Sequence, residues 1–439
     1  MSEPPDGKSD LHATSAALRP STILVVHVLF TLLNTALFGN LMWLVPMLVR
    51  LHFVTEGPWR DWQTTLVTTA VPTFLIFSIF WGELLRRVTL PRYVTYWWLA
   101  TVFPMLWMAL AQDFWQLFAL HVVACIGQAG WMPLYGKLLK HFYPDAIRGR
   151  AFGVLNAARL GGSIAAIYLV GTWLEKNPNA FRTYFPVAVG IQVVGTGVLL
   201  WLIRRTGAAD EPTEGAVRAW SALLQPILRM GRTLRADHTF LRYELAFMIY
   251  GAAFMVCDAL LPVLGTDPLG MGYKEFSHST QLPRLVVMLI MIIPLGWVLD
   301  RLGPVRTSGF AFGVLALYPL GLLLARDAFG VGVASGIYGL GLAGVMMGWM
   351  LGPVSLAPSA DKVPRYVAIH ATLVGVRGLF FQGFGMLLYK MTNGFFWPLF
   401  LAAVAFAWAA VQMWQLQGRV QRQRFLDAGG TLGDKEARG

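Results

Sequence analysis

Charge is scarce in this chain. Only 13% of its 439 residues are Asp, Glu, Lys or Arg, about half the share of an ordinary soluble domain. With 56% hydrophobic residues, the apolar material exceeds what one globular core takes up, and lipid is the solvent that fits. Cysteine is scarcer still: Cys125 and Cys257 both fall in apolar stretches, which excludes a disulfide framework and a cysteine metal cluster and leaves them as packing residues. Missing too are a phosphate-binding P-loop, a metal-spaced His cluster and a nucleophile motif, and the hydrophilic stretches are too short for a soluble catalytic domain. No enzyme activity, cofactor, metal or ATP-driven step is expected. Residues 1–20 are polar, with Pro4, Pro5, Asp6, Lys8 and Asp10, and the apolar run that follows is too long for a signal-peptide core, so the first helix is expected to be retained.

A dozen apolar stretches are present, near 22–48, 63–85, 93–111, 114–138, 151–174, 184–203, 241–264, 281–299, 307–325, 328–352, 366–389 and 395–416. Each suffices for the roughly 20 residues that a bilayer core of about 30 Å requires of a helix. They are continuously apolar rather than alternating, which argues for helices over a barrel. The expected fold class is an all-α polytopic membrane protein of twelve transmembrane helices.

The formal charge of +12 raises nucleic acid as a partner, but its distribution excludes it. With the N-terminus inside, the tails and loops on that side carry 25 of the 35 Lys and Arg, the outer loops eight, and helix interiors two. This positive-inside bias sets both termini in the cytoplasm, in what we expect to be a bacterial inner membrane. The lipid bilayer and a small-molecule substrate are the expected partners, with the protein a monomer.

The longest hydrophilic connection, residues 204–240, divides the stretches six and six: a tail (1–21), a first bundle (22–203), the linker (204–240), a second bundle (241–416) and a tail (417–439). Within the linker, Ala216 to Leu234 alternates apolar and basic residues at helical spacing, as in a helix lying on the membrane face. Weak internal similarity points to a duplication. Leu44-Val45-Pro46-Met47-Leu48 recurs as Leu260-Leu261-Pro262-Val263-Leu264, Gly82 to Arg87 parallels Gly296 to Arg301, and Arg159 is matched by Arg377.

The segment Gly296-Trp297-Val298-Leu299-Asp300-Arg301-Leu302-Gly303-Pro304-Val305-Arg306 resembles the loop motif G-x-L-x-D-R-x-G-x-R-R of the major facilitator superfamily. Gly296, Asp300, Arg301, Gly303 and Arg306 fall on motif positions. In the first-half copy Gly82, Leu84, Arg87 and Arg92 fit, whereas Arg86 stands in place of the acid and Thr89 in place of the second glycine. The resemblance implies a 6+6 fold and a gate at the cytoplasmic ends, in which the glycine permits close helix approach and the acid is held by an Arg or a helix end. Arg148 and Arg150, before the fifth helix, and Arg365, before the eleventh, occupy the superfamily's basic-loop positions. Gly153 and Ala157 to Gly162 are similar to its antiporter motif, except that Ala157 and Ala158 replace Gly-Pro.

Ionisable groups at bilayer depth are costly and mark candidate sites. Arg159 lies nine residues past Arg150, about 13 Å along a helix, and Arg377 lies twelve past Arg365, about 18 Å. The resemblance places both in one cavity, where two guanidinium forks suit a carboxylate, phosphate or sulfate; the competing expectation is that each satisfies groups of its own bundle. Asp258 is the acid well inside a helix and His370 shares a face with Arg377, so either is a candidate for proton coupling or for a static pair. Asn34, Asn40, Gln128 and Asn156 complete the candidate substrate contacts, or else bond helices together. Gly332, Gly336, Gly344, Gly348 and Gly352 form one small-residue stripe for close packing. The function expected is a secondary active transporter of a small, anionic or amphipathic solute by alternating access. The alternative is a non-transporting assembly factor or receptor of the same fold, which labelled-solute exchange in proteoliposomes distinguishes.

Overall fold

The computed structural model describes residues 18–207, 230–358 and 362–427. Among these, twelve helices are long and apolar enough to cross a membrane: α1 Pro20–Phe53, α2 Arg60–Arg87, α3 Leu90–Leu110, α4 Phe114–Phe142, α5 Ala146–Lys176, α6 Pro178–Arg205, α7 His238–Thr266, α8 Tyr273–Leu299, α9 Arg301–Leu324, α10 Ala328–Leu356, α11 Ile369–Thr392 and α12 Phe396–Gly418. Twelve alternating spans put the start of α1 and the end of α12 on one face, here the terminal face; the opposite one is the far face. Most of the amphipathic linker stretch Ala216 to Leu234 lies outside the described residues; residues 230–236 are helical.

Helices run past their apolar stretches. The short segment Tyr273–Thr280 is polar yet helical and leads into Leu282, so α8 starts eight residues before hydropathy suggests. The first six helices pack chiefly through α1 against α5 and α6 and α3 against α4 and α6; in the second six, α7 packs on α11 and α12 and α9 on α10 and α12. The glycine stripe of α10 serves this packing: a Cβ at Gly344 would meet Ala311, and one at Gly348 would meet Ser308, both on α9.

α1 and α4 break in mid-span, and side chains repair both breaks. α1 turns at Gly39 and Asn40, where the Asn40 amide bonds the Leu37 carbonyl instead of that of Ala36. The freed Ala36 oxygen accepts from Tyr184 Oη (2.8 Å) and Asn40 Nδ2 (3.3 Å), while Asn40 Oδ1 accepts from Trp43 Nε1 (3.0 Å). α4 turns at Ala129 and Gly130, and the Ile126 carbonyl accepts from Trp81 Nε1 at 2.8 Å. Unpaired backbone in hydrocarbon costs several kcal/mol per group, so such breaks persist only where partners are supplied.

Candidate functional site: charged groups between two seams

Across the two halves α2 runs antiparallel to α11 in a constant register. Asp61 meets Lys390, the Thr68 carbonyl accepts from Gln382 Nε2 (3.1 Å), and Cβ positions at Gly378 and Gly375 would strike Pro72 and Ile76. These glycines are what let the halves approach. On the other side α5 faces α8: Glu175 accepts from the Lys274 amide (3.0 Å), Gly171 lies on Ser277, and Tyr168 stacks on His278 at 4.8 Å. Both pairings begin at the far face.

At that face the seam is closed by charge. Arg50, in a π-helical turn at the end of α1, is fully buried. It donates to Asp61 of α2 (2.7 Å), to Asp267 just past α7 (2.6 Å) and to Thr266. Arg60 also bonds Asp267 (2.9 Å), and Lys390 of α11 holds Asp61. Three cations and two carboxylates from both halves thus interlock. Hydrogen bonds that join the halves cluster toward this face.

The terminal ends are different. α2 bends at Pro72 through a 3₁₀ turn at Leu75–Phe77, and a Cβ at either of the motif glycines Gly82 and Gly296 would meet no neighbouring helix within 4 Å. The close approach expected at these glycines is not made in this structure. Gly303 does serve its motif position: at φ 75° it turns the chain between α8 and α9 in a conformation costly for other residues. Glu83 bonds Arg87 (2.6 Å) and Arg86 (3.4 Å) of its own helix. Arg148 Nη2 donates to the Tyr143 carbonyl at 3.1 Å, Arg150 and Arg301 are exposed, and Arg306 is half-buried. The side chains of Asp300 and Arg365 lie outside the described residues.

Between the seams, at mid-span, lies a group of charged and aromatic side chains. Arg159, 13 residues into α5 and so about 20 Å from its start, is solvent-exposed at mid-span and donates through Nη2 to Asn156 Oδ1 at 2.8 Å. Continuing the α5–α8 register inward brings it opposite Arg284, with which it interacts electrostatically. Arg284 lies over the Tyr338 ring of α10 (5.6 Å), bonds Gln281, and is in electrostatic range of Asp258 on α7. Asp258 accepts no hydrogen bond among the described residues, and Tyr135, stacked on Trp131 at 5.4 Å, faces Arg159 from α4.

Arg284 therefore stands where Arg377 was expected. Arg377 is buried within its own half: Nη1 donates to the Phe247 carbonyl (2.9 Å), its guanidinium lies over Tyr250 at 5.5 Å, and it packs on Gly251 of α7. His370 likewise turns to α7, its Nδ1 2.9 Å from both oxygens of Glu244, with both residues buried. Asp258 is thus not alone as an acid inside the helices. Asn34 accepts from Gln192 of α6, joining two helices, and Asn40 is spent on repairing the α1 break. Gln128 is half-buried beside the α4 break, its Oε1 unpartnered.

Reading by hydropathy missed Arg50, Asp61, Asp267 and Glu244 because each sits in or beside the polar end turns of a span, and Arg284 because it follows the polar run Tyr273–Thr280 at the edge of its apolar stretch. The polar but helix-compatible run Tyr273–Thr280, continuous with the apolar stretch, was the available signal for Arg284.

A profile of the Major Facilitator Superfamily matches residues 24–388. The chain belongs to the major facilitator superfamily. It is accordingly a secondary transporter, an integral multi-pass membrane protein. Among solved structures with this fold, a POT family transporter in complex with 5-aminolevulinic acid superimposes with a TM-score of 0.73 at 13% identity, over 92% of this chain and 97% of that one. The peptide transporter POT in complex with sulfate gives 0.72 at 15%, over 92% and 99%, and an auto-inhibited POT family peptide transporter 0.69 at 16%, over 91% and 97%. At such identities the likeness is one of fold. No curated protein sequence matches the chain.

Proposed function

We propose that this superfamily member carries a small anionic organic solute together with a proton, and that Arg159 and Arg284 hold the anion between the halves. The observation behind this reading is the convergence of two guanidinium groups from α5 and α8 at mid-span, with Asp258 as the acid in range of Arg284. Like charges at bilayer depth repel and are costly to desolvate; an anion between them relieves both costs. Two cations against one carboxylate leave one positive charge in excess among these groups. When Asp258 is ionised it engages Arg284; when Asp258 is protonated, Arg284 is free for the solute, so proton and anion bind together. Tyr135, Trp131 and Tyr338 supply aromatic walls suited to an organic body. Sulfate and 5-aminolevulinic acid, held by the two similar transporters, each present an anionic group.

In this reading the terminal face is cytoplasmic, following the 25 of 35 basic residues assigned there, and the far-face latch seals the outside. The groups 22–203 and 241–416, joined by 204–240, are the rocking bodies, and the monomer is the working unit. Labelled sulfate and 5-aminolevulinate serve as probes in binding and counterflow with proteoliposomes. Arg159→Lys and Arg284→Lys are each expected to weaken binding about 10- to 100-fold, the roughly 1.5–3 kcal/mol of a charge-assisted bond. Asp258→Asn is expected to abolish uptake driven by a pH gradient while sparing counterflow. Unchanged affinity in both arginine variants overturns the anion site.

A further inference from the structure

Beneath the far-face latch lies a small cavity of about 10 Å³, lined by Leu41, Met42 and Pro46 of α1, Val67, Thr68 and Val71 of α2, His121 of α4 and Asp258 of α7. It straddles the seam, with Asp258 contributed by one half and every other wall by the other. His121 and Asp258 lie seven and eight residues from the far ends of their helices, about 10 and 12 Å down.

His121 is 1% exposed. Its Nε2 lies 3.2 Å from the Val67 carbonyl oxygen. A carbonyl only accepts, so the hydrogen bond fixes the proton on Nε2 and leaves Nδ1 as a lone-pair acceptor. That Nδ1 is buried without a partner. An orphaned acceptor costs about 1–3 kcal/mol, and a polar cavity of about 10–15 Å³ admits one water molecule. Few charges face this place. Asp258 is in range of Arg284 on α8, Tyr318 on α9 and Tyr338 on α10, with Cys257 beside it, and His121 has Cys125 at 3.5 Å.

We infer that the cavity holds one water hydrogen-bonded to both His121 Nδ1 and the Asp258 carboxyl group, and that His121 positions this water to deliver protons to Asp258 from the far face. This rests on the coupling role proposed for Asp258. With Asp258 ionised, the water donates one hydrogen to Nδ1 and one to the carboxylate. A proton arriving from far-face water joins the bound water, which passes a proton on: one O–H bond forms on Asp258, one breaks on the water, and no electrons move. With Asp258 protonated, its O–H donates to the water and the water still donates to Nδ1. When the far face is latched the cavity is cut off from outside, and Asp258 exchanges toward Arg284 instead. Asp258 thereby meets the two sides alternately.

The test uses infrared difference spectroscopy of the purified full chain across a pH titration, with no solute added. The C=O stretch of protonated Asp258 is assigned by its loss in Asp258→Asn. In His121→Leu the band is expected to move to higher wavenumber, as a carboxylic acid that has lost its hydrogen-bonded water does, and in His121→Gln to return toward the wild-type position. Val71→Leu, which fills the cavity and leaves every hydrogen-bonding group intact, is expected to give the same upward movement and serves if His121→Leu does not fold. A band unmoved in His121→Leu and Val71→Leu overturns the water site while leaving Asp258 as the coupling acid. No band attributable to Asp258 at any pH overturns the coupling reading itself.

Discussion

The two ends of the seam between the halves contrast in chemistry. At the far face, Arg50 reaches carboxylates on both halves while buried completely, and Arg60 and Lys390 close the remaining valences. At the terminal face Glu83 pairs with Arg86 and Arg87 of its own helix, and a Cβ at Gly82 or Gly296 would meet no described neighbour within 4 Å. Charges of one kind therefore do two jobs. Where they are desolvated and bridge the halves they hold a state together; where they are half-buried and pair along one helix they contribute less.

The largest expected effect comes from breaking the buried end. Arg50→Leu leaves Asp61 and Asp267 short of their shared partner, and losing one member of a buried ion network costs about 3–5 kcal/mol. Tm of the purified protein should fall by several degrees, and reagents applied from the far side should label a cysteine placed at Thr68 faster than in the parent. Unchanged labelling would show that the network does not hold the far face shut. Next comes Gly378→Val, whose side chain has no room against Pro72; overpacking costs about 1–3 kcal/mol and should open the same seam at mid-depth, read as distance broadening between spin labels on α2 and α11. The smallest effect is at the terminal face. Glu83→Gln should change stability by no more than about 1 kcal/mol, as a half-buried intrahelical pair does, and a larger loss would mean that Glu83 already bridges the halves.

Much of this architecture was legible in the chain. Apolar length alone revealed twelve spans, because hydrocarbon tolerates only backbone that bonds to itself. The motif at Gly296 to Arg306 pointed to the superfamily, and the i, i+3 spacing of Asn156 and Arg159 survives as a hydrogen bond. Hydropathy failed at the ends of spans. Arg284 and Arg50 read as outer-loop residues because a window average cannot see that a polar turn continues a helix, and Glu244 lay at the edge of its stretch for the same reason. The expected partnership of Arg159 with Arg377 followed a sequence symmetry that side-chain direction does not respect. Arg377 points to α7, and the residue facing Arg159 comes from α8.

What the sequence determined by itself was the number of spans, the family and the scarcity of charge at depth, since these depend on composition along the chain and on local periodicity. Which charges meet was decided only in three dimensions. Arg50 with Asp267 and Arg159 with Arg284 are each more than a hundred residues apart and meet because helices of opposite halves pack together, and for the same reason His121 and Asp258 line one cavity. The rotation of each helix about its axis, set by glycine contacts and by the repaired breaks in α1 and α4, selects the residues that face the seam.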